Sequence, residues 1–479
     1  MDRKKIAICC VADNKVKYLS QALRLVQSLR WFGEELKDAD MFIGYFEPTP
    51  NYYLEEYQRF GAITVKLDRY TSLHGPSNKM SLLKLDILLD YEYVMLMDCD
   101  TIFARSIASY LNFSGVQSKI ADLQTLPHEL LCKVFEALGK QPPEIKYITS
   151  IDQKDTALYC NSGIIILSQD IFSQFIARWF EINDYLLQNL QLMGKLQFFC
   201  DQASFAAVLS EYEYCYRELP LSMNFPAHFD PDRYPNYSLY IQPEIVHYHH
   251  MVCKSSGYLL DSPLPKLKGI IEAFNIRHKS DRCNNFCNAT FWDFRYSFYP
   301  ELGSGISSRG NFGAYKAGIV RQFCYENSVE ELLDYGCGDL SLIKQIESLK
   351  LKKYTGLDVS MFAIEQGKSV YPEYNFWEID VSEIIEEEKQ NISSSYSICF
   401  DLLIYQKDRF AYEKIIRNIL ETTERSGLIS GFDSSPSYES EIQFFHEALS
   451  KSLSSFPNLK ANKIGSYRQT AVYHWQKIA

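Results

Sequence analysis

The stretch Tyr93-Val94-Met95-Leu96-Met97-Asp98-Cys99-Asp100-Thr101-Ile102-Phe103 decides how the chain is read. A strand-length apolar run stops at two carboxylates one residue apart and then turns apolar again. A buried strand whose carboxyl end opens into a site has this pattern. In an extended segment residues two apart point the same way, so Asp98 and Asp100 are expected to face one hard cation, with Cys99 on the other side. A strand end carrying two charges needs such a counter-charge, and a divalent ion held there would in turn hold a diphosphate.

Working outward, Lys5–Val11 reads as a first strand, Ser20–Phe32 as a helix stopped by Gly33, and 41–46 and 63–67 as further short strands. An amphipathic helix is expected from Ser77 to Leu89, leading into the Asp98 strand. Strands alternating with helices indicate a mostly parallel, doubly wound sheet. Beyond a helical stretch at 126–138, Asn161-Ser162-Gly163 introduces a buried strand, and Ser168 caps a helix running to about Leu192. Asp201-Gln202 opens another helix, with Asp201 placed to cap it. In Ile241–His250 three histidines occupy four positions, a denser cluster than one satisfied core histidine explains, and His247 and His249 share a side if the chain is extended.

These motifs together resemble the type A nucleotide-sugar glycosyltransferases, loosely family 8, over about Lys5 to Tyr258. The resemblance implies a Rossmann-like domain that transfers a sugar from a nucleotide-sugar donor, with retention of anomeric configuration. It implies a metal site of Asp98, Asp100 and His247, with His249 as runner-up; oxygen ligands plus one imidazole favour Mn²⁺, with Mg²⁺ as the alternative. Asn161, Ser162, Asp201 and Gln202 correspond to donor-sugar contacts. Lys84 sits where the family carries a basic residue near the donor phosphates, and a solvated helix face explains Lys84 equally well.

Length and composition bound the rest. A chain of 479 residues suggests two domains. With 46% hydrophobic and 14% aromatic residues it fills ordinary cores, yet no apolar run is long enough to span a bilayer. Only a short apolar strand follows Met1-Asp2-Arg3-Lys4-Lys5, so no secretory signal is expected. Thirteen cysteines without repeated spacing fit reduced thiols rather than a disulfide framework. Cys283 and Cys287 lack the second close pair that a zinc knuckle needs, since Cys253 stands alone. A net charge of −11 argues against general nucleic-acid binding. The expected location is cytoplasmic, with peripheral contact at the inner face of a membrane compatible with the sequence.

Composition changes at 276–299, read as the junction between domains 1–275 and 300–479. After the glycine- and serine-rich 300–310, Glu331-Leu332-Leu333-Asp334-Tyr335-Gly336-Cys337-Gly338-Asp339 is an apolar strand ending in D-x-G-C-G, followed by a helix at 340–349. A second strand ends at Asp358, 20 positions after Gly338, a spacing that suits a carboxylate gripping ribose hydroxyls. A third strand ends near Asp380, and a fourth runs from Ser397 to Ile404.

This half resembles the class I methyltransferases that bind S-adenosylmethionine. Narrower resemblance, carried by G-S-G-x-x-S-R-G with Arg309, by L-I-x-Q at 403–406, by Phe444-Phe445-His446-Glu447 and by Ser466-Tyr467-Arg468, is to methyltransferase domains that accompany surface-glycan glycosyltransferases. It implies a cofactor site of Asp334, Gly336, Gly338, Asp358, Asp380 and Arg309. A base must take the proton of a sugar hydroxyl, and His446, Asp433 and Tyr405 are the candidates. The expected protein is an α/β two-domain enzyme, a type A glycosyltransferase joined to a class I methyltransferase, that uses a glycan or glycolipid acceptor. The alternatives are one catalytic domain beside a degenerate binding module, or a methyltransferase with a non-glycan substrate.

Overall fold

The computed structural model describes residues 4–230, 232–234, 242–252, 258–260, 262, 264–298, 300–434, 436 and 444–478. Ile241 and Cys253 lie outside them, and each cysteine with a described side chain is a free thiol. No helix among the described residues is long and apolar enough to cross a membrane. The chain divides into two compact units, Met1–His278 and Lys279–Ala479.

The first unit is built on a seven-stranded sheet in the order Tyr216–Glu218, Val116–Ile120, Cys160–Ser168, Tyr91–Met97, Lys4–Ala12, Asp40–Tyr45, Ile63–Lys66. All neighbours are parallel except Cys160–Ser168, which is antiparallel to both of its partners. The central strands are apolar on both faces because helices cover both sides, and two separate buried clusters lie against the sheet. Helix Val16–Phe32 buries Leu19, Leu25, Val26 and Leu29 on one face, and Gln169–Gln188 buries Phe172, Phe175 and Trp179 on the other.

Three local expectations change. The 77–89 segment is two 3₁₀ stretches, Pro76–Lys84 and Asp86–Asp90, rather than one amphipathic α-helix. Asn161-Ser162-Gly163 lies inside the strand Cys160–Ser168, not in a turn before it. Asp201 sits in the first turn of Cys200–Leu209 instead of capping it.

A small second sheet matters more for the site. Thr101–Phe103 pairs antiparallel with Ile245–His247, placing His247 opposite Thr101, and the Tyr248 N–H donates to the Asp100 carbonyl at 3.1 Å. This pairing brings a histidine 147 positions away in sequence beside Asp100.

The second unit has its own seven-stranded sheet, in the order Asn375–Glu378, Lys353–Asp358, Glu331–Tyr335, Ser394–Cys399, Thr423–Phe432, Thr470–Lys477, Leu459–Tyr467. The first five strands are parallel and the last two form an antiparallel hairpin. Strand order reverses between Glu331–Tyr335 and Ser394–Cys399, so a crevice opens at their carboxyl ends, where open α/β sheets bind ligands. The fourth strand stops at Cys399, five residues short of the expected Ile404. The 276–299 stretch is largely helical, in Pro265–Asn284 and Asn288–Phe298, and the glycine-rich segment after it is held by hydrogen bonds rather than acting as a free linker.

Candidate functional site

In the first unit, the strand Tyr91–Met97 ends and the chain turns at 98–100 before re-entering a strand at Thr101. The alternation expected for an extended segment therefore fails, and the two carboxylates have different partners. Asp100 receives His247 Nε2 at 3.0 Å, and His249 Nδ1 lies 3.9 Å from its other oxygen. Asp98 pairs with Lys79 at 3.2 Å. Ligand atoms of Asp100, His247 and His249 lie within 4.8 Å of one another, so His249 takes the place expected of Asp98 in a candidate metal group.

His247 is oriented by a partner that sequence reasoning missed. Its Nδ1 donates to Asn224 Oδ1 at 3.0 Å, which leaves Nε2 facing Asp100. Asn224 in turn donates to Asn161 Oδ1 at 3.2 Å, and Asn161 approaches Asp122 at 3.5 Å. Burial works against a charged His247, but the adjacent Asp100 carboxylate outweighs it and holds the imidazole above its ordinary range. Burial would raise Asp100, and the imidazoles instead hold it down to about 2. His249 is lowered to about 2 by burial and by the neighbouring His247.

Lys79, not Lys84, is the cation of this site. Its ammonium reaches Asp98, Asp201 at 3.1 Å, Ser162 Oγ at 2.8 Å and the Ser162 carbonyl at 3.0 Å. Ser162 Oγ donates to Asp201 at 2.9 Å, and Tyr159 donates to Gln202 at 2.5 Å. Burial disfavours the Lys79 charge, yet Asp98 and Asp201 keep it firmly protonated. Lys84 is exposed and lies 4.4 Å over the Phe180 ring and 5.1 Å over Tyr70, away from the carboxylates. Five positions apart on Pro76–Lys84, the two lysines leave on different faces, so only one of them can turn to the carboxylates.

In the second unit a cavity at the strand ends is lined by Asp334, Gly336, Asp358 and Asp380. Gly336 and Gly338 have φ of +79° and +56°, and a Cβ on Gly338 would come within 2.5 Å of Ser304 Oγ. Gly338 N–H donates to Asp358 Oδ2 and Ser360 N–H to Oδ1, both at 2.9 Å, so Asp358 ties the glycine loop to the neighbouring strand end. Each of its oxygens retains a lone pair. Burial pushes the Asp358 carboxyl up to about 6 and that of Asp334 to about 7, although Tyr354 donates to Asp334 at 2.7 Å.

The helix Asn288–Phe298, read as junction, contributes Asn288, Trp292 and Tyr296 to this cavity. Asn288 Oδ1 is buried without a hydrogen-bond partner among the described residues. A buried acceptor left open at a cavity wall fits a donor on a ligand. Arg309 does not line the cavity. It binds the carbonyls of Glu301 and Pro300 and stands 3.6 Å from Asp339, which fixes the 300–310 loop.

Two of the base candidates are also placed elsewhere. Asp433 is committed to Lys463 at 3.0 Å and Tyr473 at 2.8 Å, and exposed His446 packs edge-on against Phe432; neither lines the described cavities. Tyr405 lines both the cofactor-sized cavity and a second one bounded by Phe432, Phe444 and Arg468. Asp401 lines both as well. It stands two residues past the strand end with φ of +60°, and accepts from Lys316 at 3.0 Å, Ser307 at 2.9 Å and Tyr467 at 2.6 Å. Extending the fourth strand to Ile404 hid Asp401 inside it. A strand-end carboxylate in a left-handed conformation marks a stored strain of the kind that collects at functional sites.

No family model and no curated protein matches the chain. Solved structures similar to it fall into two kinds. Magnesium protoporphyrin IX methyltransferase from Synechocystis PCC 6803 with bound SAH is 16% identical, over 42% of this chain and 99% of that one, with a TM-score of 0.30. The glycosyltransferase GlyE of Streptococcus pneumoniae TIGR4 is 10% identical, over 87% of this chain and 91% of that one, with a TM-score of 0.37. The WbbM bifunctional glycosyltransferase in its apo form is 13% identical, over 52% and 46% of the two chains, with a TM-score of 0.34. Similarity this loose fixes no activity, and function is argued below from strand order and side chains.

Proposed function

We propose that the chain is a bifunctional transferase, in which the first unit transfers a sugar from a nucleotide-sugar and the second methylates a hydroxyl of a surface or extracellular glycan from S-adenosylmethionine. One observation carries this reading: each unit has its own doubly wound sheet with a charged or glycine-lined site at the strand ends.

In the first unit Asp100, His247 and His249 would hold a divalent cation, Mn²⁺ or Mg²⁺, with Asp98 nearby. Bound there, the cation supplies positive charge for a departing diphosphate. Lys79 neutralises Asp98 and Asp201 and adds fixed positive charge on the same side. Asn161, Ser162, Asp201 and Gln202 bind donor-sugar hydroxyls, and Asn224 keeps His247 in its ligating tautomer. Retention of configuration follows the family resemblance.

In the second unit the orphaned Asn288 carbonyl oxygen, the left-handed glycines and two buried carboxylates fit S-adenosylmethionine, which supplies the methyl group when bound. Asp358 accepts from the ribose hydroxyls, Gly336 and Gly338 admit the amino-acid end, and Asp380 bounds the adenine side. Asp401 takes the proton of the attacking hydroxyl. The proton becomes strongly acidic as the new C–O bond forms, so a carboxylate suffices as base. Lys316, Ser307 and Tyr467 position Asp401.

Incubating the full chain with a panel of nucleotide-sugars tests the first half. Hydrolysis or transfer that requires Mn²⁺ and stops with a chelator is expected; release that ignores the metal would refute it.

A further inference from the structure

The second cavity of the second unit has no ligand assigned to it so far. It is lined by Ser307, Asp401, Tyr405, Phe432, Phe444 and Arg468. We infer that it is the acceptor site for methyl transfer and that it selects a sugar carrying an anionic group, a carboxylate or a phosphate. The inference rests on the methyltransferase reading of this unit and adds the substrate class.

Its position comes first. Asp401 and Tyr405 line this cavity and the cofactor cavity alike, so a hydroxyl seated here lies next to the wall from which a methyl group would arrive. The methyl carbon passes from sulfur to that oxygen, the S–C bond breaks to leave a neutral thioether, and the O–H proton goes to Asp401. Three aromatic rings, Tyr405, Phe432 and Phe444, are in the lining, and aromatic rings are the side chains against which the C–H face of a pyranose packs.

Charge then decides the class. Asp401 is balanced by the buried Lys316 at 3.0 Å, which leaves Arg468 as the charge of the lining without a counter-charge among the described residues. Its guanidinium makes no hydrogen bond or ion pair with a described residue. A planar five-donor fork at a cavity mouth complements a carboxylate or phosphate.

The backbone adds an independent reason. Tyr467 pairs with Thr470, so Arg468 and Gln469 form a two-residue hairpin turn, and Arg468 sits there at φ +51°. Glycine or asparagine adopts that conformation at less cost, and arginine in it is a strained choice that places its side chain at this cavity.

The test uses the full chain loaded with S-adenosylhomocysteine. Glucuronic acid, glucose 6-phosphate and neutral methyl glucoside are titrated by calorimetry or ligand-observed NMR. At least one anionic probe is expected to bind tenfold or more tighter than the glucoside, and the better of the two names the source of the charge. The preference should fall as salt rises.

Arg468→Gly removes the guanidinium while relieving the strained turn, so misfolding does not explain a loss. It should erase the charge preference and keep the S-adenosylhomocysteine affinity, and Arg468→Lys should restore part of the preference. Anionic and neutral probes binding alike, no probe binding at millimolar concentration, or a preference that survives Arg468→Gly would each overturn the inference. Failure to bind S-adenosylhomocysteine at all would instead refute the cofactor reading beneath it.

Discussion

The two units solve different electrostatic problems at the ends of similar sheets. In the first, charge is dense and already paired: Lys79 sits between Asp98 and Asp201, and Asp100 between two imidazoles. In the second, Asp334 and Asp358 are nearly sealed from water, at 3% and 6% exposure, neither forms an ion pair among the described residues, and burial raises both, outweighing the Lys316 charge felt by Asp334. A charged diphosphate and its metal suit the first arrangement. A cavity of glycines, aromatic rings and carboxylates that accept hydroxyl donors suits the second. Fold alone distinguishes neither; the counter-charges do.

Removing a metal ligand should have the largest effect. Asp100→Ala is expected to cut sugar transfer roughly a hundredfold or more, since it deletes charge placed where negative charge develops. Initial rates across a Mn²⁺ titration check it, and an unchanged rate would break the contrast at its first half.

Lys79→Met reads the paired charges as stability. Leaving Asp98 and Asp201 without their cation should cost about 3 kcal/mol, the low end for a broken buried pair because the Asp98 side chain keeps 31% exposure. Denaturant unfolding measures it, and a loss near zero would mean that the cluster is solvated.

The carboxylate of the second unit that burial raises should behave in the opposite sense. Asp334 is raised to about 7, so between about pH 4 and pH 7 the unfolded chain gives up this proton first and stability falls as pH rises. Asp334→Asn keeps an acceptor for Tyr354 and should gain roughly 2–4 kcal/mol at pH 8 and little at pH 4. Equal effects at both pH values would show that Asp334 is not held neutral by burial.

Asp358→Ala should weaken cofactor binding by roughly one to two decades, through loss of charge-assisted hydrogen bonds worth about 1.5–3 kcal/mol. Calorimetry with S-adenosylhomocysteine reads the change, and unchanged affinity would remove Asp358 from the site.

What the sequence conveyed, and what it hid, follows from how local each feature is. The strand ends at Asp98 and Asp358 and the glycine loop were legible because apolar runs and glycines act over a few residues. The His247 position came from a motif, but its pairing with Asp100 depends on a three-strand sheet joining distant segments. Lys79 was missed because two lysines five positions apart leave Pro76–Lys84 on different faces, and which face turns to Asp98 and Asp201 is set by packing against distant segments. Asp401 was missed because the strand ends earlier than its apolar continuation suggests, Phe400-Asp401-Leu402-Leu403-Ile404 reading as strand until the left-handed turn is seen. Asn288 and Asn224 carried no signal, since an asparagine without its partner is only a polar residue.

The account stands on two sites that work separately in one chain. Calorimetric titration of S-adenosylhomocysteine into the full chain, with and without saturating Mn²⁺ and a nucleoside diphosphate, addresses that directly. One bound equivalent with the same affinity in both conditions is predicted. Competition between the ligands, or S-adenosylhomocysteine binding that vanishes when the metal and diphosphate are present, would contradict it.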